Sequence, residues 1–388
     1  MTRRAYGFAV GLAVSIGVLA WIASYRLDLP LRDPDGFIGP AYVRLPAIVL
    51  MFFLADVVPR VLISNRGFRN FWPSFKLYSV QRWTRGRIAL VLVGLSSFYV
   101  VYVAYRNLKG FLPFVREDLH DALLLKLDRA LAFGHDPAAV LHSLLGTGFT
   151  AHFLSFVYIS YLMFVPLSLA AALIWSKNVS TGYWYVIALC VNWILGVASY
   201  YWLPSQGPYF AKHSLFNDLP DTGVTKLQDA LATGRDNVLS DPYASDSVQS
   251  IAAFASLHVS VIFTAALIAH YVISSRSVRW FMWVYFAWTA TATIYFGWHY
   301  LLDDVAGLAI GWIAVWIGAA VTGHKMRVQR REPDPGDGVI GVFPPDVART
   351  ESDVDASANG ARRPREEAPA DSTVPSGSGP DDRDSTGR

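Results

Sequence analysis

Two short polar runs carry the groups best suited to chemistry, Ser256-Leu257-His258 and His299-Tyr300-Leu301-Leu302-Asp303. Each stands where a strongly apolar segment begins, and ionisable residues at membrane depth are costly enough that they usually mark function. Asp303 follows His299 by four residues, so at the start of a helix the two share a face. A carboxylate so placed orients the imidazole and stabilises its charged form, leaving the other ring nitrogen free to attack phosphorus. Taken alone, this pair fits equally well an interfacial histidine satisfied by an aspartate. His258 shifts the balance, because a second imidazole can protonate a departing alkoxide and then activate an acceptor hydroxyl. Ser256 reads either as a phosphate ligand beside a helix N-terminus or as an ordinary N-cap. A metal held by His258, His299 and Asp303 is the less favoured reading, and no cofactor is expected.

Bringing the two runs together takes a helical hairpin. The stretch from Val259 to Trp298 is long enough to cross a bilayer, turn at Ser274 to Arg279 and return, which places both runs at one membrane face. The chain as a whole fits that setting: of 388 residues 53% are hydrophobic and only 16% charged, with the apolar residues gathered into blocks. The expected fold class is all-α, a polytopic membrane helix bundle with about eight spans of roughly 20 residues. They run from Tyr6 to Tyr25, Tyr42 to Ile63, Ile88 to Tyr105, Ala151 to Trp175, Tyr183 to Leu203, Val259 to Ile273, Trp280 to Gly297 and Leu302 to Val321. Val259 to Ile273 is short unless Ile251 to Leu257 extends it. Residues 1–87 form two spans and a basic linker, 88–328 the catalytic body, and 329–388 a polar tail expected to be disordered and cytoplasmic.

The basic residues set orientation. Arg60, Arg66, Arg69, Lys76, Arg82, Arg85 and Arg87 crowd one linker, and the positive-inside rule then puts both termini in the cytoplasm and the histidine runs on the outer or lumenal face, with the plasma membrane as the expected location. The apolar block after Arg3-Arg4 reads as an uncleaved signal anchor. Two outward loops are long. In the first, Leu119, Leu123, Leu124, Leu127 and Leu131 recur at helical spacing, as in an amphipathic helix that either lies on lipid or caps the bundle. The second, Pro204 to Ser250, is polar and is expected to overhang the histidines. Cys190 is the one cysteine and reads as structural, and nothing supports nucleic-acid binding.

The segments Phe254-Ala-Ser-Leu-His-Val-Ser260 and Thr293-Ile-Tyr-Phe-Gly-Trp-His-Tyr-Leu-Leu-Asp-Asp-Val-Ala-Gly307 resemble the second and third motifs of the type 2 phosphatidic acid phosphatase superfamily. More closely they resemble its inositolphosphotransferase branch, which includes fungal inositol phosphorylceramide synthase: that branch has Ser-Leu-His where the phosphatases have Ser-Gly-His, and lacks their arginine at the position of Thr293. The resemblance implies a six-helix core, here Ile88 to Val321, a phosphohistidine on His299, support from Asp303, and acid–base work by His258 without a metal. It also implies an inositol-containing lipid donor. Trp202-Leu-Pro-Ser-Gln-Gly-Pro-Tyr-Phe210 resembles the stretch preceding the second motif, which makes Ser205, Gln206, Gly207 and Tyr209 candidate substrate ligands, or simply a turn ending a span. The family's first motif is not found; Arg106 and Lys109 stand in for it on the same face, as phosphate ligands or as snorkelling interfacial cations.

The expected function is a membrane phosphotransferase that moves a phosphoryl or phospho-headgroup unit from a lipid donor to a hydroxyl acceptor, its partners being membrane lipids. With water as acceptor the same site is a lipid or polyprenyl phosphate phosphatase. A lipid transporter or scaffold keeping the bundle without chemistry is the reading from another class, with Asp56 the one notable intramembrane charge.

Overall fold

The apolar blocks all become helices, because backbone polar groups inside a bilayer must be satisfied within their own segment. The computed structural model describes residues 2–34, 40–64, 70–176, 178–244 and 251–326. The tail 329–388 lies outside the described residues, as do Arg66 and Arg69 of the basic linker. The helices are α1 (Thr2–Leu27), α2 (Ala41–Ser64), α3 (Phe71–Arg82), α4 (Arg85–Val115), α5 (Asp121–Leu131), α6 (Pro137–Leu145), α7 (Phe149–Trp175), α8 (Val179–Trp202), α9 (Pro208–Ala211), α10 (Gly223–Ser240), α11 (Leu257–Val272), α12 (Arg276–Tyr295) and α13 (Leu301–Thr322), with a 3-10 turn at His213–Leu215. No strand occurs among the described residues.

Each of the eight expected spans coincides with a helix, and the fold is a polytopic membrane bundle. Six helices, α1, α2, α4, α7, α8 and α13, are long and apolar enough to cross a membrane. The other two fall short for different reasons. In α11 only 16 residues are helical, since Ile251 to Ser256 does not extend it. In α12 there are 20 residues, but Arg276 and Arg279 open it and Thr289, Thr291 and Thr293 close it. By contrast α4 runs for 31 residues, about 46 Å at 1.5 Å per residue, and so outreaches a hydrocarbon core of roughly 30 Å.

Helix α8 is the axis of the bundle. Every residue from Gly182 to Trp193 is buried, as expected of a helix that is apolar all round. A polar seam ties it to α11 and α13: Asn192 Nδ2 donates to Thr264 Oγ1 at 3.0 Å, Ser260 Oγ donates to the Asn192 side-chain oxygen Oδ1, and Thr264 Oγ1 donates to the Gly311 carbonyl at 3.3 Å. Between α11 and α13 the backbones themselves meet. A Cβ on Gly307 would lie 2.4 Å from the Ser256 carbonyl oxygen, and one turn on a Cβ at Gly311 would lie 2.8 Å from that of Ser260. Small residues four apart permit this approach, and it brings the starts of the two motif-bearing helices side by side.

At the opposite end of the bundle Asp56 is buried and pairs with Arg60 at 3.1 Å and Arg82 at 3.4 Å. The residue that suggested transport is thus an ion pair at a helix end, where α2 meets α3.

Candidate active site

His299 sits in the tight turn between α12 and α13, and His258 is the second residue of α11. Their rings approach with His258 Nδ1 3.4 Å from His299 Nε2. The expected hairpin therefore does bring the two runs to one face.

His299 Nδ1 has two acceptors near it, the Ala253 carbonyl oxygen at 2.9 Å and Asp303 Oδ2 at 3.4 Å. The carbonyl is the hydrogen-bond partner by distance, and the carboxylate is a nearby charge. The expectation that Asp303 orients the ring is thus modified, since the Ala253 carbonyl is the closer partner. Asp303 Oδ2 instead accepts from the Tyr300 amide at 3.0 Å, closing the first turn of α13, and the Asp303 carbonyl accepts from the Ser256 amide at 3.0 Å. A carbonyl can only accept, so the proton of His299 is assigned to Nδ1 and the Nε2 lone pair points at His258. Burial pushes the His299 imidazole down to about 4, against the opposing pull of the Asp304 carboxylate, so the ring is neutral and Nε2 is available.

His258 is held differently. Its ring stacks on Tyr158 with centroids 4.6 Å apart and tilts against Tyr161 at 4.3 Å, while Tyr158 in turn stacks on Trp298 at 5.5 Å. With Nε2 of His299 bare, the 3.4 Å contact requires His258 Nδ1 to carry the hydrogen. An attacking nitrogen and a proton donor thus face each other.

Asp304, the residue after Asp303, is buried and accepts from Thr293 Oγ1 at 3.0 Å. The Thr293 carbonyl takes the Trp298 amide at 2.9 Å and the His299 amide at 3.3 Å. Thr293 therefore shapes the histidine turn with both its side chain and its backbone. Ser256 is fully buried and caps α11, accepting from the Val259 amide at 3.4 Å, which is the N-cap alternative of the two readings.

The remaining candidates divide into two groups. On α4, the Lys109 ammonium lies 4.8 Å from the centre of the Tyr200 ring. Arg106, one turn earlier, has a buried Nε with no hydrogen-bond partner. The 205–209 stretch lines the wall through its backbone. Ser205 accepts the Phe254 amide at its hydroxyl (3.1 Å) and the Ala253 amide at its carbonyl (2.9 Å). The Gln206 and Gly207 amides donate to Asp121, and the Tyr209 amide donates to the Gly297 carbonyl at 2.8 Å. Gly207 has φ of +104°, and a Cβ there would strike the Trp298 carbonyl oxygen at 2.5 Å.

The leucine spacing foretold α5 as a helix, but not the side chains of the outer helices that brace this turn. His142 of α6 bonds the Tyr295 carbonyl at 2.8 Å, Gln228 of α10 bonds the Phe296 carbonyl at 2.9 Å, and Asp121 and Asp128 of α5 bond Tyr300, Leu301 and Leu302. The second long loop does overhang the histidine turn, through α10. Among the described residues no group of three or more His, Cys, Asp and Glu side chains is arranged to hold a metal ion.

Among curated proteins and solved structures nothing matches the chain. A family model does: that of the PAP2 superfamily matches residues 122–317, from α5 through most of α13, taking in His258, His299 and Asp303 but not Arg106 or Lys109. Because that match covers half of the chain and both histidine motifs, the chain belongs to the PAP2 superfamily and is a lipid phosphate enzyme of the phosphatase and phosphotransferase type.

Proposed function

We propose that the enzyme is a phosphotransferase that moves a phosphoryl or phospho-headgroup unit from a lipid donor to a hydroxyl acceptor through a phosphohistidine on His299. The observation that carries this reading is the pinned His299 ring, its Nδ1 on the Ala253 carbonyl and its bare Nε2 facing His258 Nδ1. The donor phosphate enters between the rings. His299 Nε2 attacks phosphorus, the ester P–O bond breaks, and the departing oxygen takes the Nδ1 proton of His258, which acts in its doubly protonated imidazolium form and is left as the neutral ring. The phosphorylated ring carries a positive charge that the Ala253 carbonyl and the Asp303 carboxylate stabilise. An acceptor hydroxyl then gives its proton back to His258 Nδ1 and attacks phosphorus, and the N–P bond breaks. Both histidines return to their starting state.

Lys109 supplies charge for the phosphate oxygens, with Arg106 behind it. The Ser-Leu-His motif and Thr293 in place of arginine support a phosphodiester donor, with phosphatidylinositol as the first candidate. The basic end of the bundle, at Arg60, Arg82 and Arg87, supports a cytoplasmic placement of that end and of both termini, with the histidines facing outward.

The test is incubation of the purified protein in lipid with radiolabelled phosphatidylinositol and a mixed lipid-alcohol extract, beside the His299→Ala variant. A new labelled lipid made by the wild type alone is the expected result. Release of water-soluble phosphate would make the enzyme a phosphatase instead, and equal products from both proteins would overturn the histidine mechanism.

A further inference from the structure

The turn that positions His299 is fastened from outside by one short helix. Asp121 and Asp128 lie seven residues apart on α5, hence on one face, and both are buried. Asp121 Oδ1 accepts from the Tyr300 hydroxyl at 2.7 Å, the Gly207 amide at 2.9 Å and the Gln206 amide at 3.0 Å, while its Oδ2 accepts from the Gln206 amide at 3.1 Å. Asp128 Oδ2 takes the Leu301 amide at 2.9 Å and Oδ1 the Leu302 amide at 3.3 Å. Those two amides open α13 and have no partner within their own helix. Neither carboxylate bonds to a histidine.

We propose that Asp121 and Asp128 are positioning residues, and that α5 is a clamp holding the His299 turn and the 204–207 turn in register for attack on phosphorus. The inference rests on the phosphohistidine reading above for its catalytic consequence, and on the hydrogen bonds alone for its structural one. Asp128 supplies from another element the acceptors that an N-cap side chain would give α13, and Asp121 ties the residue after His299 to the turn that approaches Trp298. A carboxylate is required at both places because every partner is a donor. An amide of the same shape would set an N–H group against one of them and leave a bond unmade.

The residues act through His299, so the test must separate positioning from folding. Full-length Asp128→Asn, Asp121→Asn, Tyr300→Phe and the Asp121→Asn/Tyr300→Phe double variant are compared with wild type in phosphatidylcholine vesicles, with labelled phosphatidylinositol as donor. Asp118→Asn is the control, since Asp118 is exposed and pairs with Arg116, away from the His299 turn. Three readouts are taken: kcat and KM, thermal unfolding, and amide hydrogen exchange in the 299–304 segment. The expected result is a kcat lower by about tenfold or more in Asp128→Asn and Asp121→Asn with KM changed less than about twofold, because misplacing a nucleophile by a fraction of an ångström acts on the transition state. Exchange in 299–304 rises, the folded fraction is unchanged, and the double variant loses less than the sum of its parts.

Wild-type kcat with unchanged exchange in Asp128→Asn overturns the clamp, and so does a loss of rate that only follows a loss of folded protein. Should the wild type transfer nothing from phosphatidylinositol, the donor reading fails and exchange alone decides. Faster exchange confined to 299–304 upholds the clamp, and unchanged exchange overturns it.

Discussion

His299 and His258 differ in what holds each ring. The first is fixed at Nδ1 by a carbonyl 2.9 Å away, and the second is sandwiched by Tyr158 and Tyr161 with Nδ1 as its contact to His299. In the proposed mechanism that difference gives attack to His299 and proton management to His258, and it predicts unequal responses to the leaving group. A p-nitrophenyl phosphodiester departs without protonation, whereas an alkyl ester needs an acid. His258→Gln is therefore expected to lose about 10²- to 10⁴-fold in kcat on an alkyl donor and far less on the aryl one, while His299→Ala loses both. Equal losses on the two donors, measured by product release, would reverse or erase the assignment. The histidines and Asp303 are legible in sequence because their types and spacing are unusual beside apolar segments. Ala253 is not legible, since the group that orients His299 is a backbone carbonyl that any residue could supply.

Helices set the site through close approach and through bonds from the outer loops, and these two routes differ in how far sequence reveals them. Gly307 stands one turn after Asp303, and the backbone of Ser256 occupies the space where its side chain would be. Gly307→Val should push α11 from α13 and cost roughly 1–3 kcal/mol by overpacking. Activity should fall further than stability, because the displaced residues are those beside His258 and His299; a variant with full activity at lower melting temperature would show that the approach matters only for packing. The leucine spacing did announce α5 as an amphipathic helix. What it could not tell is that the buried face carries two carboxylates onto the catalytic turn, because Asp121 and Asp128 read as ordinary polar residues until their partners are known. Asp128 shows what this placement costs. Burial raises its carboxyl to about 6 from 3.8, outweighing the two backbone N–H donors. The folded state thus holds this proton more tightly than the unfolded chain, so the contribution is fully present below pH about 4 and is lost as pH rises through about 6. Thermal unfolding should show the wild type losing more stability than Asp128→Asn between those values; parallel curves would refute the shift. The ionised form supplies both acceptors to α13, so the clamp is complete where the fold is the less stable.

Among the described residues, a cluster of basic residues from several helix ends lies at the end of the bundle opposite the histidines. The turn from α12 to α13, the starts of α7 and α11 and the ends of α4 and α8 gather around the histidines, while Arg60, Lys76, Arg82, Arg87, Arg276 and Arg279 stand where α2, α3, α4 and α12 meet the other surface. This alternation was readable from the apolar blocks, though two of the eight, α11 and α12, are too short or too polar to be identified by hydropathy alone. Helix α11 is apolar but short, with most of its residues buried, whereas in α12 only Thr289, Ala292, Thr293 and Tyr295 are buried. The positive-inside rule turns the same asymmetry into a predicted orientation, with the basic end cytoplasmic. Cys190 makes it testable, since it is fully buried and gives little background to a thiol reagent. In intact cells, Ser143→Cys, exposed on α6 beside the histidine end, should react with a membrane-impermeant maleimide, and Lys76→Cys, exposed on α3, should react only after the membrane is opened. The reverse pattern would turn the site inward and make cytoplasmic-leaflet lipids the donors. The expected pattern would put His258 and His299 at the outer leaflet, and under the proposed mechanism the energy of the donor ester bond would then pass through the phosphohistidine to the acceptor.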